Sequence, residues 1–385
     1  MKHHTYRTPQ PHLPPAYLAN GLIGVRLGPN PLVPVACYVN GYVGRSPQVA
    51  GETYAQAPWP IAANIQIEGV SLSDRPEMFR FVEQTFDFAN GELVSRFDLA
   101  HAHRVVHLEV MTVLPRTMPT ACLQEIRVTV EQSARLRLQS CMDPAGLEGE
   151  PLARRTSNGP AEAWLHWRSR GGLSEVAGAY ATEWRGPDAK YRRNDWGVEE
   201  DLQLSEYRVE AEAGREYVLR QYGCLLPSAL HPEPHLEVLR LMYTLRTLGF
   251  DRVREDNRAA WAEIWRGRPI LHGAGEAMQD TADAAYHYLH ASVTRGTPQS
   301  VAPFGLSQHR QYHGHVFWDT ETFMFPPVLL TNPDAARAML DYRSARLDAA
   351  RANARLHGER GLRFPWQSGA SGAEVTTAWA GSGAE

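Results

Sequence analysis

The sequence predicts a β-sandwich followed by helices, two kinds of structure segregated along one chain. From about residue 17 to 230, short runs alternate apolar and polar side chains and are broken by Gly, Pro, Asn and Asp. From His235 onward the apolar residues take helical spacing instead. The two patterns do not alternate along the chain as they would in an α/β fold.

The strand-like runs include Val105 to Val113 (VVHLEVMTV), Cys122 to Val130 (CLQEIRVTV), Ala134 to Cys141 (ARLRLQSC) and Glu216 to Leu225 (EYVLRQYGCL). Alternation with period two puts one apolar face on each, and Asn90-Gly91 and Ala213-Gly214 supply turns. So many antiparallel strands predict two packed sheets, because a single open sheet would leave long edges and an uncovered face. His235 to Trp265 predicts a helical linker: Leu236, Leu239, Leu241, Leu245 and Leu248 are apolar, Gly249 stops the first stretch, and Ala260, Trp261, Ile264 and Trp265 mark the second. A helix from about Glu276 to Val293 follows Pro269 to Gly275. Another opens at Pro333, with Ala336, Met339, Leu340, Leu347 and Ala350 on one stripe and Gly358 as its stop. The expected division is a sandwich over 1–232, a linker over 233–275 and a helical domain over 276–385.

Composition narrows the chemistry. With 385 residues, 43% hydrophobic and 21% charged, the chain is globular and long enough for two or three domains. A net charge of −4 gives no electrostatic footprint for nucleic acid. Only Lys2 and Lys190 are lysines, and no G-x-x-x-x-G-K-[ST] loop occurs, which excludes a P-loop. Gly273-Ala-Gly275 is followed by Met278 where a dinucleotide fingerprint needs glycine. Cys37, Cys122, Cys141 and Cys224 form no C-x-x-C pair and read as thiols in a reducing compartment. Residues 1–17 lack the apolar core of a secretory signal, and no run of about 18 apolar residues predicts a membrane span. A cytoplasmic location is the expectation.

Two clusters could carry chemistry. In Gly314-His-Val-Phe-Trp-Asp-Thr-Glu-Thr-Phe-Met-Phe-Pro326 an aromatic wall stands beside carboxylates. A sugar's C–H face can stack on Trp318 while Asp319 accepts from its hydroxyls. The alternative is a capped helix start, with Asp319 accepting from the N–H of Glu321 or Thr322. In Arg363-Phe-Pro-Trp-Gln-Ser-Gly-Ala-Ser-Gly-Ala-Glu374, a Gly/Ser-rich loop carries aromatic and polar residues suited to a pocket, or Trp366 closes a helix hairpin. His101, His103 and His107 fall on one face of a presumed strand, and His313 and His315 form a second H-x-H pair, but neither set has an evident third ligand; no metal is expected. No G-x-S-x-G elbow supports a Ser/His/Asp triad.

At these clusters the sequence resembles glycoside hydrolase family 65, which holds maltose, trehalose and kojibiose phosphorylases, acid trehalases and glucosylgalactosyl-hydroxylysine glucosidases. The matching residues are Asn20-Gly21-Leu-Ile-Gly24-Val-Arg26, Phe86-Asp-Phe-Ala-Asn-Gly91-Glu-Leu93, Gly249-Phe-Asp251 with Trp261 and Trp265, and Gly305-Leu306-Ser307. They continue through Gly314-His-Val-Phe-Trp-Asp-Thr-Glu321, Pro333-Asp-Ala-Ala-Arg337, Asp341-Tyr-Arg343, Phe364-Pro-Trp366 and Gly372-Ala-Glu374-Val375. Their order and spacing run across nearly the whole chain.

The resemblance implies a β-super-sandwich, a helical linker and an (α/α)6 barrel with the active site. It implies that Trp318 and Asp319 hold a glucosyl unit, with Trp366 and Glu374 lining the pocket. It also implies inversion at the anomeric carbon by a glutamate general acid well beyond the F-P-W segment, hence expected after Glu385, with no catalytic residue inside the chain. Twelve barrel helices need roughly 200 residues, about twice the length left after residue 275, so the barrel is expected to be incomplete and the chain a fragment. Hydrolysis of an α-glucoside, with no cofactor, is the favoured reaction. The phosphorylases carry an Arg-Phe pair where this chain has Asp283-Ala-Ala-Tyr286, a Gly-rich run where it has Gln308-His-Arg-Gln-Tyr312, and Glu where it has Gln367. The alternatives are phosphorolysis, with inorganic phosphate as nucleophile, and a non-catalytic sandwich that oligomerises, for instance as a homodimer, or contacts sugar.

Overall fold

The computed structural model describes residues 4–7, 15–46, 51–157, 159–193, 203–307 and 312–376. Its central layer is a nine-stranded antiparallel sheet in the order His4–Tyr6, Phe79–Asp87, Glu92–His101, Arg104–Val113, Ala121–Val130, Glu216–Pro227, Glu175–Arg185, Ala163–Ser169 and Gly149–Thr156. One face is covered by two smaller antiparallel sheets. The first has four strands, Ala16–Ala19, Ile23–Leu27, Ala36–Arg45 and Glu52–Gln56; the second has five, Lys190–Arg193, Ser205–Ala211, Ala134–Asp143, Trp59–Ile67 and Val70–Ser71.

The period-two pattern explains the layering. On Arg104–Val113, Val106, Leu108 and Val110 point inward and pack with Ile65, Leu136 and Val209 of the five-stranded sheet. The opposite face of that strand changes along its length. His107 is exposed, whereas Met111 and Val113 lie beneath helices, so the run loses its polar alternation where both faces are covered. The four-stranded sheet adds Ile23, Val25 and Val39 to a core shared with Phe86, Leu93, Leu165 and Leu225. Cys37, Cys122, Cys141 and Cys224 are buried free thiols, and burial pushes each thiol up.

Helices α1 (Pro234–Leu248) and α2 (Phe250–Trp265) cover the other face and meet at Gly249, whose φ of 82° breaks the helix. The buried stripe of α1 is Val238, Met242 and Leu245. Leu245 is the one leucine of the expected set at its centre; Leu236 and Leu248 are nearly half exposed because they fall outside the arc that faces Ala177, Ala179 and Tyr222. In α2, Trp261 and Trp265 reach past the sheet to pack with Ala19 and with Tyr286 of α3 (Glu276–Ala291).

Three further helices complete the chain's described part: α4 (Phe325–Thr331), α5 (Pro333–Ser344) and α6 (Leu347–Leu356). The single stripe expected from Pro333 to Gly358 is two helices. Arg346 ends the first by donating to the Tyr342 carbonyl, one of those a helix terminus leaves open, and to the Ala370 carbonyl. The histidine face expected at 101–107 is also corrected. His101 ends one strand and Arg104 starts the next, and Ala102 and His103 form the two-residue turn between them, both at positive φ (48° and 63°). No helix among the described residues is long and apolar enough to cross a membrane.

Candidate functional site

The two clusters singled out in the sequence are joined by a short antiparallel ribbon. Val316–Phe317 pairs with Gln367–Ser368, which sets Trp318 and Trp366 beside each other at the ribbon's end. Their ring centroids lie 5.5 Å apart at 45°, and both residues are 42% exposed. They form one wall of an open cleft of about 460 Å³ that is also lined by Glu321, Leu340, Arg343 and Glu374. That volume is in the range of small-ligand sites.

The sandwich holds both loops from below. Glu52, on its edge strand, accepts at the backbone carbonyl from His315 Nε2–H and at the carboxylate from the Ser371 N–H (2.8 Å). The Tyr54 N–H donates to the His313 carbonyl (3.0 Å). Gly314 sits between them at φ 81°, where a Cβ would overlap the Tyr54 ring. His315 is buried, and burial pushes its imidazole below the ordinary range. Its neutral ring serves as a strut: with Nε2–H given to Glu52, Nδ1 accepts from the Gln367 side-chain amide. Gln367 thus faces the histidine.

After Trp318 the chain enters a π-helical turn, Thr320–Met324. Asp319 is half-buried with helical dihedrals (φ −54°, ψ −32°), and its side chain makes no cap hydrogen bond, so the capped-start alternative is not the one adopted. The turn swings Glu321 onto the cleft wall, where both carboxylate oxygens accept from Arg343 of α5 (2.9 and 2.8 Å). The Glu374 carboxylate is also committed. It accepts from the backbone N–H groups of Trp366 (2.7 Å), Gln367 (3.1 Å) and Thr376 (3.2 Å), which ties the ribbon to the loop after it. Trp318, Trp366 and Glu374 therefore line one cleft, with Asp319 on the adjoining turn.

Sequence reasoning missed Arg343 and His315 as parts of the site. Arg343 stood in the D-Y-R motif, but no local spacing tied it to Glu321, 22 positions away. Among the described residues no group of three His, Cys, Asp or Glu side chains is placed to hold a metal ion. His107 is taken up by Asp98 (2.7 Å) and Glu131 (3.2 Å). Residues 308–311 of the Gln308–Tyr312 stretch lie outside the described residues.

A layered β-sandwich is thus linked through two helices to a helical region that carries an aromatic cleft. A solved structure described as a candidate kojibiose phosphorylase from the human microbiome superposes on 98% of this chain with a TM-score of 0.81 at 16% identity; the chain covers 53% of it. The N-terminal domain of glycosyl hydrolase family 65 matches residues 16–264, and the central catalytic domain of that family matches residues 284–383. The chain belongs to glycosyl hydrolase family 65. A kojibiose hydrolase of Flavobacterium johnsoniae is 37% identical over 198 residues, 51% of this chain and 28% of the relative. A protein-glucosylgalactosylhydroxylysine glucosidase of Gallus gallus is 43% identical over 124 residues, 30% of this chain and 18% of the relative. The chain thus matches only part of the length of these relatives.

Proposed function

We propose that the chain is the glucosyl-holding part of an inverting glycoside hydrolase that acts on α-glucosides, kojibiose among them. The paired indoles of Trp318 and Trp366 in the open cleft carry this reading. An apolar sugar face stacks on such a wall, and Asp319 on the adjoining turn accepts from the sugar's hydroxyls. In this reading residues 1–232 form the scaffold, 233–275 the linker and 276–385 the start of an (α/α)6 barrel.

The general acid is assigned outside these 385 residues. Both oxygens of Glu321 and of Glu374 are engaged as acceptors, which leaves neither as a proton donor to a leaving group. Hydrolysis is preferred to phosphorolysis because Gln367, which replaces the phosphorylases' Glu, is buried against His315, and no arginine stands at 283–286. Phosphorolysis is the second reading, favoured by the chain's sequence similarity to kojibiose phosphorylases.

Titration of the 385-residue chain with kojibiose is expected to quench tryptophan fluorescence. Trp318→Ala should weaken binding roughly tenfold, the loss expected when one stacked aromatic face is removed. The chain alone is expected to release no glucose. Unaltered binding by Trp318→Ala would remove the glucosyl assignment, and glucose release would place the acid inside the chain. Glucose 1-phosphate formed only with inorganic phosphate would select phosphorolysis.

A further inference from the structure

We propose that Arg343 is a positioning residue that fixes the Trp318 indole against Trp366 by gripping the 317–321 segment from both ends. The proposal rests on the reading of the cleft as a glucosyl site and names the residue that shapes it. From α5, Arg343 Nη2 donates to the Phe317 carbonyl (3.2 Å) and to Glu321 Oε2 (2.8 Å), while Nε donates to Glu321 Oε1 (2.9 Å). Trp318 and Asp319 lie between these two anchors.

The segment needs such a hold. Its π-helical turn is a rare geometry that persists where surrounding structure imposes it. Asp319 gives the turn no cap hydrogen bond. The ribbon pairing at Phe317 fixes the chain before the tryptophan, and the Thr320 hydroxyl ties the start of the turn to the Val301 carbonyl (2.8 Å), but neither holds the Glu321 end that forms the cleft wall. The planar fork of an arginine engages two carboxylate oxygens and a carbonyl in one fixed geometry, and the Phe364 and Tyr342 rings, 5.7 and 5.5 Å from the guanidinium carbon, flank that fork.

Stability alone does not account for an arginine here. Arg343 is 9% exposed, and its Nη1 is buried without a hydrogen-bond partner among the described residues. A donor left unsatisfied in this way costs stability. Glu321, whose side chain is one-third exposed, can regain water when the arginine is removed. A variant without the arginine is therefore expected to fold with its cleft misaligned.

The test uses the 385-residue chain and four variants, Arg343→Met, Arg343→Lys, Glu321→Gln and Trp318→Phe. Two indoles this close couple excitonically in far-ultraviolet circular dichroism, and subtraction of the Trp318→Phe spectrum isolates the Trp318 contribution from the other tryptophans. Arg343→Met, which leaves the Phe317 carbonyl without its donor, is expected to fold and melt a few degrees below the unaltered chain, to lose the couplet and to bind kojibiose roughly tenfold more weakly. Arg343→Lys, a point charge without the fork, should restore only part of the couplet. An intact couplet in folded Arg343→Met overturns the proposal. Should Arg343→Met not fold, Glu321→Gln decides: the couplet weakens if the grip acts through Glu321, and an unchanged couplet overturns it. A couplet that follows Arg343 in a chain that binds no glucoside keeps the positioning role and refutes the glucosyl reading. Binding by the unaltered chain with a couplet indifferent to Arg343 does the reverse.

Discussion

Replacement of Arg116 by alanine is expected to destabilise the chain by about 3–5 kcal/mol and to loosen α3 from the sandwich. Arg116 follows the Arg104–Val113 strand and points into the joint between sheet, linker and α3. Its guanidinium donates to the carbonyls of His290 and Val293 (3.2 Å to Val293), at the end of α3 where helix carbonyls lack intrahelical partners. It also lies over the Trp261 ring at 4.8 Å. A cation at a helix C-terminus is favoured by the aligned peptide dipoles, the compensation available here because no ion pair to Arg116 is present among the described residues. Burial pushes the guanidinium down to about 10, so it remains charged at neutral pH. Alanine would leave two buried carbonyls unpaired, each at a cost of about 1–3 kcal/mol, and open a cavity under the indole. His287, stacked on the same indole at 4.5 Å and pushed down to about 3 by burial, would lose the packing that keeps it dry. Hydrogen exchange separates this local effect from global unfolding. The α3 amides should exchange faster while those of the central sheet change less, and Arg116→Lys, which cannot reach both carbonyls, should lie between the two. Equal α3 protection in Arg116→Ala would rule out the clamp.

The regular part of the molecule was legible because its determinants repeat. Val106, Leu108 and Val110 announce a buried strand face through spacing alone, and Gly91 and Gly214, at φ 63° and 74°, mark turns that their sequence already suggested. Errors begin where a residue's place depends on a distant neighbour. Leu236 and Leu248 read as core because they are leucines, yet the side chains above Ala177 and Ala179 decide which arc of α1 is buried, and that arc carries Val238 and Met242. Two helices read as one because the break between α5 and α6 is made by Arg346 reaching to Ala370, a contact with no local signature. The site obeys the same rule. Trp318 and Trp366 could be read from motifs rich in aromatic residues. The groups that hold them could not, since His315 bonds to Glu52 263 positions earlier and Glu374 works as a strut for backbone N–H groups.

Glu92 gives the second large effect, and one that depends on pH. It opens the Glu92–His101 strand with a carboxylate that is 4% exposed, and two arginines of α2 fork onto it: Arg254 at 2.9 and 2.7 Å, Arg258 at 2.7 and 2.9 Å. Burial pushes this carboxyl up, but the hydrogen bonds and charges of the two guanidinium groups outweigh it and hold the group below its ordinary value. The native state therefore binds fewer protons than the unfolded chain in the acid range, and this sets the sign. The stabilisation is fully present above the unfolded carboxyl's pKa of about 4.3 and is lost as pH falls through the lower native value. Glu92→Gln should cost about 3 kcal/mol at pH 7, the lower end for a broken buried pair because Arg258 is partly exposed and can hydrate. The same variant should flatten the acid limb: the gap between the two chains' urea midpoints narrows below about pH 4 and closes once the native carboxyl is protonated. Parallel curves across pH 3 to 7 would show that the pair joins the linker to the sheet without its charge contributing. A gap that widens towards acid would reverse the sign and place the stabilisation in the protonated form.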